Sequence, residues 1–367
     1  MRRRLSFLAV AAAALATRCA FADTLHPTFP GGVIPPPPWP PSWRMNDSTA
    51  VFFAGNDTGF NSAVEVLAEA RFALVGLGWQ LAMQQEGFRH LEALEAQAAA
   101  AIKAVSPATR VLVSRENEVA LADWDLQRAV MQAPFVLESW WLRRKDGNVA
   151  NETWFAPGGP LPDGKLWYNF STPAMAQWWQ ETWIAAPLVN DNIDGVYWDC
   201  SCGAPKGVAN FSREAADGQR VFEEAVNKTL ASNKAFLTWF STHEDPTHSA
   251  RDPADCAPYM RSAIAYGADL SRGVMLFGLK DEALDGDAFV TPLAAFLVAR
   301  GVYAYLAYPT HVYDIVSEFP WRHELELDYG EPLTLATEVA AGVFVRPYSG
   351  ANVTLNCSSL SGSITLF

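Results

Sequence analysis

The chain has 367 residues, 50% of them hydrophobic and 18% charged, with a net charge of -13 at pH 7. That length and apolar content suit one large domain with a substantial core, with or without a small appendage. The excess of acidic residues argues against nucleic acid or an anionic membrane surface as a partner.

The chain opens with a basic patch, Arg2-Arg3-Arg4, an apolar run from Leu5 to Ala16, and the small-x-small triplet Ala20-Phe21-Ala22. This is the pattern of a cleaved secretory signal over residues 1–22. Its apolar run falls short of the ~20 residues that cross a bilayer. A mature protein starting near Asp23, secreted or lumenal and free of the membrane after cleavage, is the expectation. Residues 23–45 contain Pro35-Pro36-Pro37-Pro38-Trp39-Pro40-Pro41. They read as a stiff polyproline-type arm that spaces the domain and has no core of its own.

From residue 46 short apolar runs alternate with helical patterns. Strands are expected at Val51–Ala54, Phe72–Val75, Val111–Val113, Phe135–Leu137, Gly195–Trp198, Phe236–Phe240, Val274–Phe277 and Val302–Leu306. Helices are expected at Ser62–Ala70, Phe88–Val105, Asp123–Gln132, Pro173–Ala186, Arg213–Ala231, Asp255–Tyr266 and Asp287–Arg300. Between Trp140 and Asn169 the rhythm breaks into a Gly-, Pro- and aromatic-rich loop with a ribbon of its own, turning at Arg144-Lys145-Asp146-Gly147. Eight strands alternating with helices over residues 46–328 indicate an α/β fold, a (β/α)8 TIM barrel. A doubly wound open sheet is the runner-up, but no G-x-G-x-x-G follows the first strand. Residues 329–367 change to short β-like pieces and read as a small C-terminal β-sheet domain packed on the barrel.

Of five cysteines, Cys19 leaves with the signal, so Cys200, Cys202, Cys256 and Cys357 remain. In an oxidising compartment they allow up to two disulfides, with Cys202–Cys256 the preferred pair. Eight N-x-S/T sequons, at Asn46, Asn56, Asn151, Asn169, Asn210, Asn227, Asn352 and Asn356, favour a eukaryotic secretory glycoprotein.

A barrel gathers its chemistry at the C-terminal ends of its strands. The carboxylates falling there are Glu116, Glu118, Glu138, Asp199, Glu244, Asp245, Asp281 and Glu282. Two carboxylates flanking a scissile bond are what glycoside hydrolysis requires, one to protonate the leaving oxygen and one to attack or activate water. The 14 Trp are a high count, and Trp140, Trp141, Trp154, Trp167, Tyr168, Trp198 and Trp239 are candidate sugar-stacking surfaces. Other chemistries fit less well. There is no G-x-S-x-G elbow, and His243-Glu244 with His248 has the wrong spacing for a zincin, with Pro246 breaking the helix it needs. Nothing points to a metal or another cofactor, and oligomeric state is not legible.

The segment Asp194-Gly195-Val196-Tyr197-Trp198-Asp199 resembles the D-G-hydrophobic-hydrophobic-hydrophobic-D signature of TIM-barrel glycoside hydrolases. It is close to that of the hypothetical glycosyl hydrolase family 15 group. The likeness extends to Trp167-Tyr168-Asn169-Phe170-Ser171-Thr172-Pro173 with Trp178-Trp179, to Tyr329-Gly330-Glu331-Pro332-Leu333, and to the strands around Gly342–Tyr348 and Asn352–Asn356. The resemblance implies hydrolysis of O-glycosidic bonds in an oligo- or polysaccharide. Asp199 carries over as nucleophile or base, and Asp281 or Glu282 is the expected proton donor, with Glu244 and Glu138 behind them. Cys200 departs from the pattern, since related signatures often carry a second Asp or Asn there. A carbohydrate-binding pseudoenzyme of the same fold is the alternative.

Overall fold

The computed structural model describes residues 36–54, 62–78, 81, 90–133, 135–156, 159–199, 208, 211–238, 242–244, 253–269, 275–278, 289–308 and 321–367. The signal segment, Cys200, Cys202, Trp239, Asp245, Asp281 and Glu282 lie outside them.

In chain order the first elements are β1 (Thr49–Ala54), α1 (Ala63–Glu69), β2 (Leu74–Leu77), α2 (Leu91–Val105), β3 (Arg110–Glu116), β4 (Val119–Leu121) and α3 (Asp125–Met131). There follow β5 (Asn151–Ala156), β6 (Gly159–Trp167), α4 (Pro173–Trp178), β7 (Gly195–Asp199), α5 (Phe211–Ala231), β8 (Ala235–Thr238) and β9 (Thr242–Glu244). The chain continues through α6 (Pro253–Ala268), β10 (Met275–Gly278), α7 (Val290–Ala299) and β11 (Ala304–Tyr308). It ends with β12 (Thr337–Ala340), β13 (Val343–Pro347), β14 (Ala351–Asn356) and β15 (Ser361–Leu366).

Eight strands form one parallel sheet in the order β8-β7-β3-β2-β1-β11-β10-β9. Its edges, β8 and β9, are separated by only residues 239–241. Four peptide steps reach at most ~14 Å, whereas the edges of a flat eight-stranded sheet stand about 34 Å apart. The sheet must therefore curl until its edges approach one another. Its strands are continuous apolar runs because both faces are covered: Leu74, Val75 and Leu77, and Val111 to Val113, are all fully buried. Gly195 is required where it stands, because a Cβ there would collide with the Ala235 carbonyl on β8.

The strand expected at Phe135–Leu137 is instead part of a 3-10 helix, Phe135–Trp140. Three apolar residues fit one helical turn as well as a strand. The edge they would have paired with is taken, since β3 runs alongside β7 from Leu112↔Gly195 to Glu116↔Asp199. Asp199 accordingly closes the fourth strand met along the curled sheet from β1, not the fifth. The eighth strand is β9, whose Thr-His-Glu carries no apolar signal.

Helix α1 begins at Ser62 with a reciprocal cap, in which the Ser62 hydroxyl accepts from the Glu65 N–H and the Glu65 carboxylate accepts from the Ser62 N–H. On α2, Leu91, Leu94, Glu95, Ala98, Ala99 and Ile102 form the buried stripe, at the spacing of a helix lying on a sheet. Between β3 and β7 the ribbon strands make a second, antiparallel sheet in the order β4-β6-β5. Its neighbouring turn at Arg144–Gly147 forms as expected, with Gly147 N–H donating to the Arg144 carbonyl at 2.9 Å.

The proline-rich arm is more than a spacer over its described part. Trp39 is buried, and its Nε1 donates to the Tyr305 hydroxyl at 2.8 Å. Trp43 lies between two guanidinium groups, Arg300 at 5.3 Å and Arg346 at 5.5 Å from the ring centroid. The arm thus closes the end of the barrel where the strands begin. It leaves there a cavity of about 520 Å³ lined by residues including Trp39, Asn46, Asp47, Arg71, Arg110 and Tyr305.

The last four strands form an antiparallel sheet, β12-β13-β14-β15, that docks on α7 and is tied to α6. Arg346 reaches across to the C-terminal turn of α7, its Nη1 donating to the carbonyls of Leu297 at 3.3 Å, Val298 at 3.2 Å and Arg300 at 2.5 Å. A cation there meets the negative end of the helix dipole. Cys256 of α6 is bonded to Cys357, at a Cα separation of 5.4 Å, which corrects the expected Cys202–Cys256 pairing. Cys357 follows directly on β14, and that strand's docking brings it to α6. Arg261, also on α6, grips Glu338 of β12 through two bonds of 2.8 and 2.7 Å.

Candidate active site

The rim formed by the strand C-termini is where a barrel of this kind does chemistry. Asp199, described through its backbone, is the last residue of β7, and its register partner on β3 is Glu116. Register partners on adjacent parallel strands stand ~4.8 Å apart along the hydrogen-bonding direction. Position 199 belongs to the same alternation as Gly195 and Tyr197, and Tyr197 packs edge-on against Phe52 of β1 at 5.0 Å. Trp198, in the opposite alternation, packs against Phe222 of α5 at 3.8 Å. Position 199 therefore shares the sheet face of Tyr197.

Strand β3 shows why Glu116 is held there. Its sequence, Arg-Val-Leu-Val-Ser-Arg-Glu, ends in three polar residues that are all buried. Arg115 turns to the helical layer, where its Nη1 meets both Glu95 oxygens at 2.9 and 3.2 Å and its Nε donates to the Trp183 carbonyl at 3.1 Å. The guanidinium also sits 4.8 Å from the Trp183 ring and 5.1 Å from that of Trp124. Trp183 in turn donates its Nε1 to the Glu116 carbonyl at 2.7 Å. One tryptophan thus clasps two successive residues of β3 just before the rim. It is supplied by a π-helical turn, Trp179–Ile184, that continues α4. Burial pushes the Glu95 carboxyl up to about 8, with the Arg115 guanidinium pulling it back.

The ribbon sheet stands beside the same rim. Tyr168 N–H donates to the Glu118 carbonyl at 3.0 Å, and Val119 pairs with Trp167. The Tyr168 hydroxyl accepts from Gln127 Nε2 at 3.0 Å. Burial drives the Tyr168 phenol well above its ordinary range, with repulsion from Glu116 adding to the effect. The hydroxyl therefore stays protonated next to the carboxylate. Gln127 also donates to the Val119 carbonyl at 3.1 Å and accepts from the Leu121 N–H at 2.8 Å, so its buried amide is well satisfied.

The expected stacking aromatics divide. Trp141, Trp167, Tyr168 and Trp198 are buried, and the Trp141 ring stacks on Tyr168 at 5.7 Å. Protein covers these rings, so in this structure they are packing residues and offer no open face for a sugar. Trp140 is half-buried and tilted against Trp178 at 5.7 Å. Of the other carboxylates, Glu138 is half-exposed and paired with Arg143 at 2.8 Å, a surface ion pair. Glu244 ends β9 on the same rim, described through its backbone. The expected proton donors Asp281 and Glu282 lie outside the described residues, as does Trp239. No group of His, Cys, Asp and Glu fit to hold a metal occurs among the described residues. Sequence reasoning named Glu116 but missed the support around it: Arg115, Glu95, Gln127 and Trp183. The signal available was the polar Ser114-Arg115-Glu116 at the end of an otherwise apolar buried strand.

Among solved structures the chain is similar to the cyclic alpha-maltosyl-(1→6)-maltose hydrolase of Arthrobacter globiformis in its ligand-free form. The TM-score is 0.52 at 13% identity, covering 89% of this chain and 98% of that one. It is also similar to the sucrose 6F-phosphate phosphorylase of Thermoanaerobacter thermosaccharolyticum, with a TM-score of 0.52 at 8% identity, covering 88% and 96%. That likeness establishes the fold. A GH31 dextranase of Flavobacterium johnsoniae complexed with glucose matches at a TM-score of 0.45 and 13% identity, with 78% of this chain spanning 38% of that one. No family model matches the chain, and no curated protein does. Kinship with the hypothetical glycosyl hydrolase family 15 group accordingly rests on the sequence motifs alone.

Proposed function

We propose that this protein is a secreted glycoside hydrolase cleaving O-glycosidic bonds of an oligo- or polysaccharide. The observation that carries the reading is the placement of Asp199 at the C-terminal end of its barrel strand, in register with Glu116. Support comes from the carbohydrate-acting enzymes that share the fold and from the D-G-V-Y-W-D signature. Asp199 acts as nucleophile or base, and Asp281 or Glu282 gives the proton to the leaving oxygen. Glu116 competes for the donor's part.

Secretion is supported by the Arg2–Ala22 pattern and is compatible with the Cys256–Cys357 bond. No helix among the described residues is long and apolar enough to cross a membrane. A second reading, a carbohydrate-binding protein without turnover, rests on Cys200 standing where related signatures carry an acid or amide. The deciding experiment screens the mature protein and Asp199→Asn against an oligosaccharide panel. Loss of about 10²–10⁴-fold in turnover with an unchanged melting temperature is expected. Equal turnover in both proteins refutes the role of Asp199, and binding without turnover in either favours the second reading.

A further inference from the structure

Three sequons share one end of the molecule. Asn46 lies in the turn just ahead of β1, where the strands begin. Asn227 lies four residues before the end of α5, about 6 Å along the axis from the turn that enters β8. Asn352 is the second residue of β14 and pairs with Pro347, next to Tyr348. The Tyr348 hydroxyl donates at 2.6 Å to the Leu297 carbonyl, in the last turn of the helix leading to β11. All three positions thus sit at the strand N-terminal pole, opposite Asp199, and all three side chains are exposed. Along β14 the neighbours Ala351 and Val353 are buried, so Asn352 stands on the outer face of its sheet.

Asn169 differs. It belongs to the ribbon beside the rim, where its Nδ2 donates to the Ser139 carbonyl at 3.0 Å and its Oδ1 accepts from the Ser171 N–H at 3.2 Å and hydroxyl at 2.5 Å. A sugar on that nitrogen would have to share the space against Ser139.

We propose that Asn46, Asn227 and Asn352 carry N-linked glycans, while Asn169 stays bare. The donor is an oligosaccharide linked to a lipid diphosphate. A bond forms between the asparagine Nδ2 and C1 of the first sugar, the C1–O bond to the diphosphate breaks, Nδ2 gives up one proton, and the lipid diphosphate leaves. The glycans then cover the pole that carries the arm, and the one on Asn46 stands at the rim of the 520 Å³ cavity that this residue helps to line. Among these four sites the rim bearing Asp199 is left clear. The inference rests on the secretory reading of the first residues and not on the chemistry of the rim.

The test expresses the full chain in a eukaryotic secretory host and releases glycans with peptide-N-glycosidase in heavy-oxygen water, so that each occupied asparagine becomes a labelled aspartate in a peptide map. Label at Asn46, Asn227 and Asn352 with an unlabelled Asn169 is the expected result. Each of Asn46→Gln, Asn227→Gln and Asn352→Gln removes one mobility step on a denaturing gel. A secreted protein bare at any of the three, or labelled at Asn169, overturns the assignment of sites. A protein retained in the cytosol overturns the secretory premise as well. Hydrolysis is assayed separately, so neither result bears on the role of Asp199.

Discussion

Two small antiparallel sheets are attached to the barrel, and both bury apolar side chains, but they are fastened differently. The ribbon, β4-β6-β5, and the segment that follows it are held by aromatic burial: Trp124, Trp167, Tyr168, Trp179 and Trp183 are all fully buried. The C-terminal sheet buries Phe344, Tyr348, Val353 and Leu355 and adds a covalent bond, Arg346 on helix carbonyls, and the Arg261–Glu338 pair. Both carry directional hydrogen bonds, but the covalent link belongs to the C-terminal sheet. The ribbon adjoins the rim where substrate would enter, and the C-terminal sheet does not. A tryptophan-rich core thus lies beside the proposed chemistry, and the covalent tie lies away from it.

The contrast breaks most visibly at Trp183. Trp183→Ala removes a fully buried ring, the edge-on contact with Trp124 and the bond to the Glu116 carbonyl. A loss of about 3–5 kcal/mol in urea unfolding is expected, with activity lost alongside because β3 loses its clasp. Next in size is Cys357→Ser, which opens a link across 101 residues. It should cost about 2–4 kcal/mol and leave turnover of the folded protein unchanged, since the rim is elsewhere. A fall in turnover matching that of Trp183→Ala would erase the distinction between the two sheets.

Two carboxyls sharpen the comparison with slopes of opposite sign. Glu95, on the barrel side of the ribbon's support, is raised from 4.5 to about 8 by burial. The folded state therefore holds its proton more tightly than the unfolded one. That stabilisation is complete below about pH 4.5 and is lost as pH rises towards 8. Urea midpoints of wild type and Glu95→Gln across this window should converge in acid and separate above it. Glu338, on the C-terminal sheet, is held down at about 2 by Arg261 and the Gly342 N–H. Its contribution is present above about pH 4.5 and lost as pH falls towards 2. The effect of Glu338→Gln should be the smallest of the four, confined to the acid limb and weakened by salt, because the pair is open to solvent.

The barrel strands could be read from sequence because burial on both faces writes a strand as an unbroken apolar run. This served for β1, β2, β3, β7, β8, β10 and β11. It could not serve for β9, whose three residues are Thr242, His243 and Glu244, or for β12, where all four residues are exposed. At Phe135–Leu137 the same rule gave a false strand, since an isolated apolar trio does not say which period it follows. Asp199 was legible as the end of such a run. Its neighbour was not, because Glu116 meets it only if β3 pairs with a strand some 80 residues later, and pairing order is a property of the whole sheet. The aromatic surplus was read as sugar-facing, but much of it forms the ribbon's own core. Cys256–Cys357 was likewise out of reach: the link depends on where β14 lies against α6.

That bond also orders events during synthesis. Cys256 leaves the ribosome 101 residues before its partner. A thiol that is buried in the finished protein must wait unpaired while α7, β11 and most of the last sheet are made. It can close only when Cys357 arrives on the end of β14. Until then it is open to mispairing with Cys200 or Cys202. The correct bond therefore marks a chain in which β14 has been made, and a cell that inspects free thiols could tell it from one still lacking that strand.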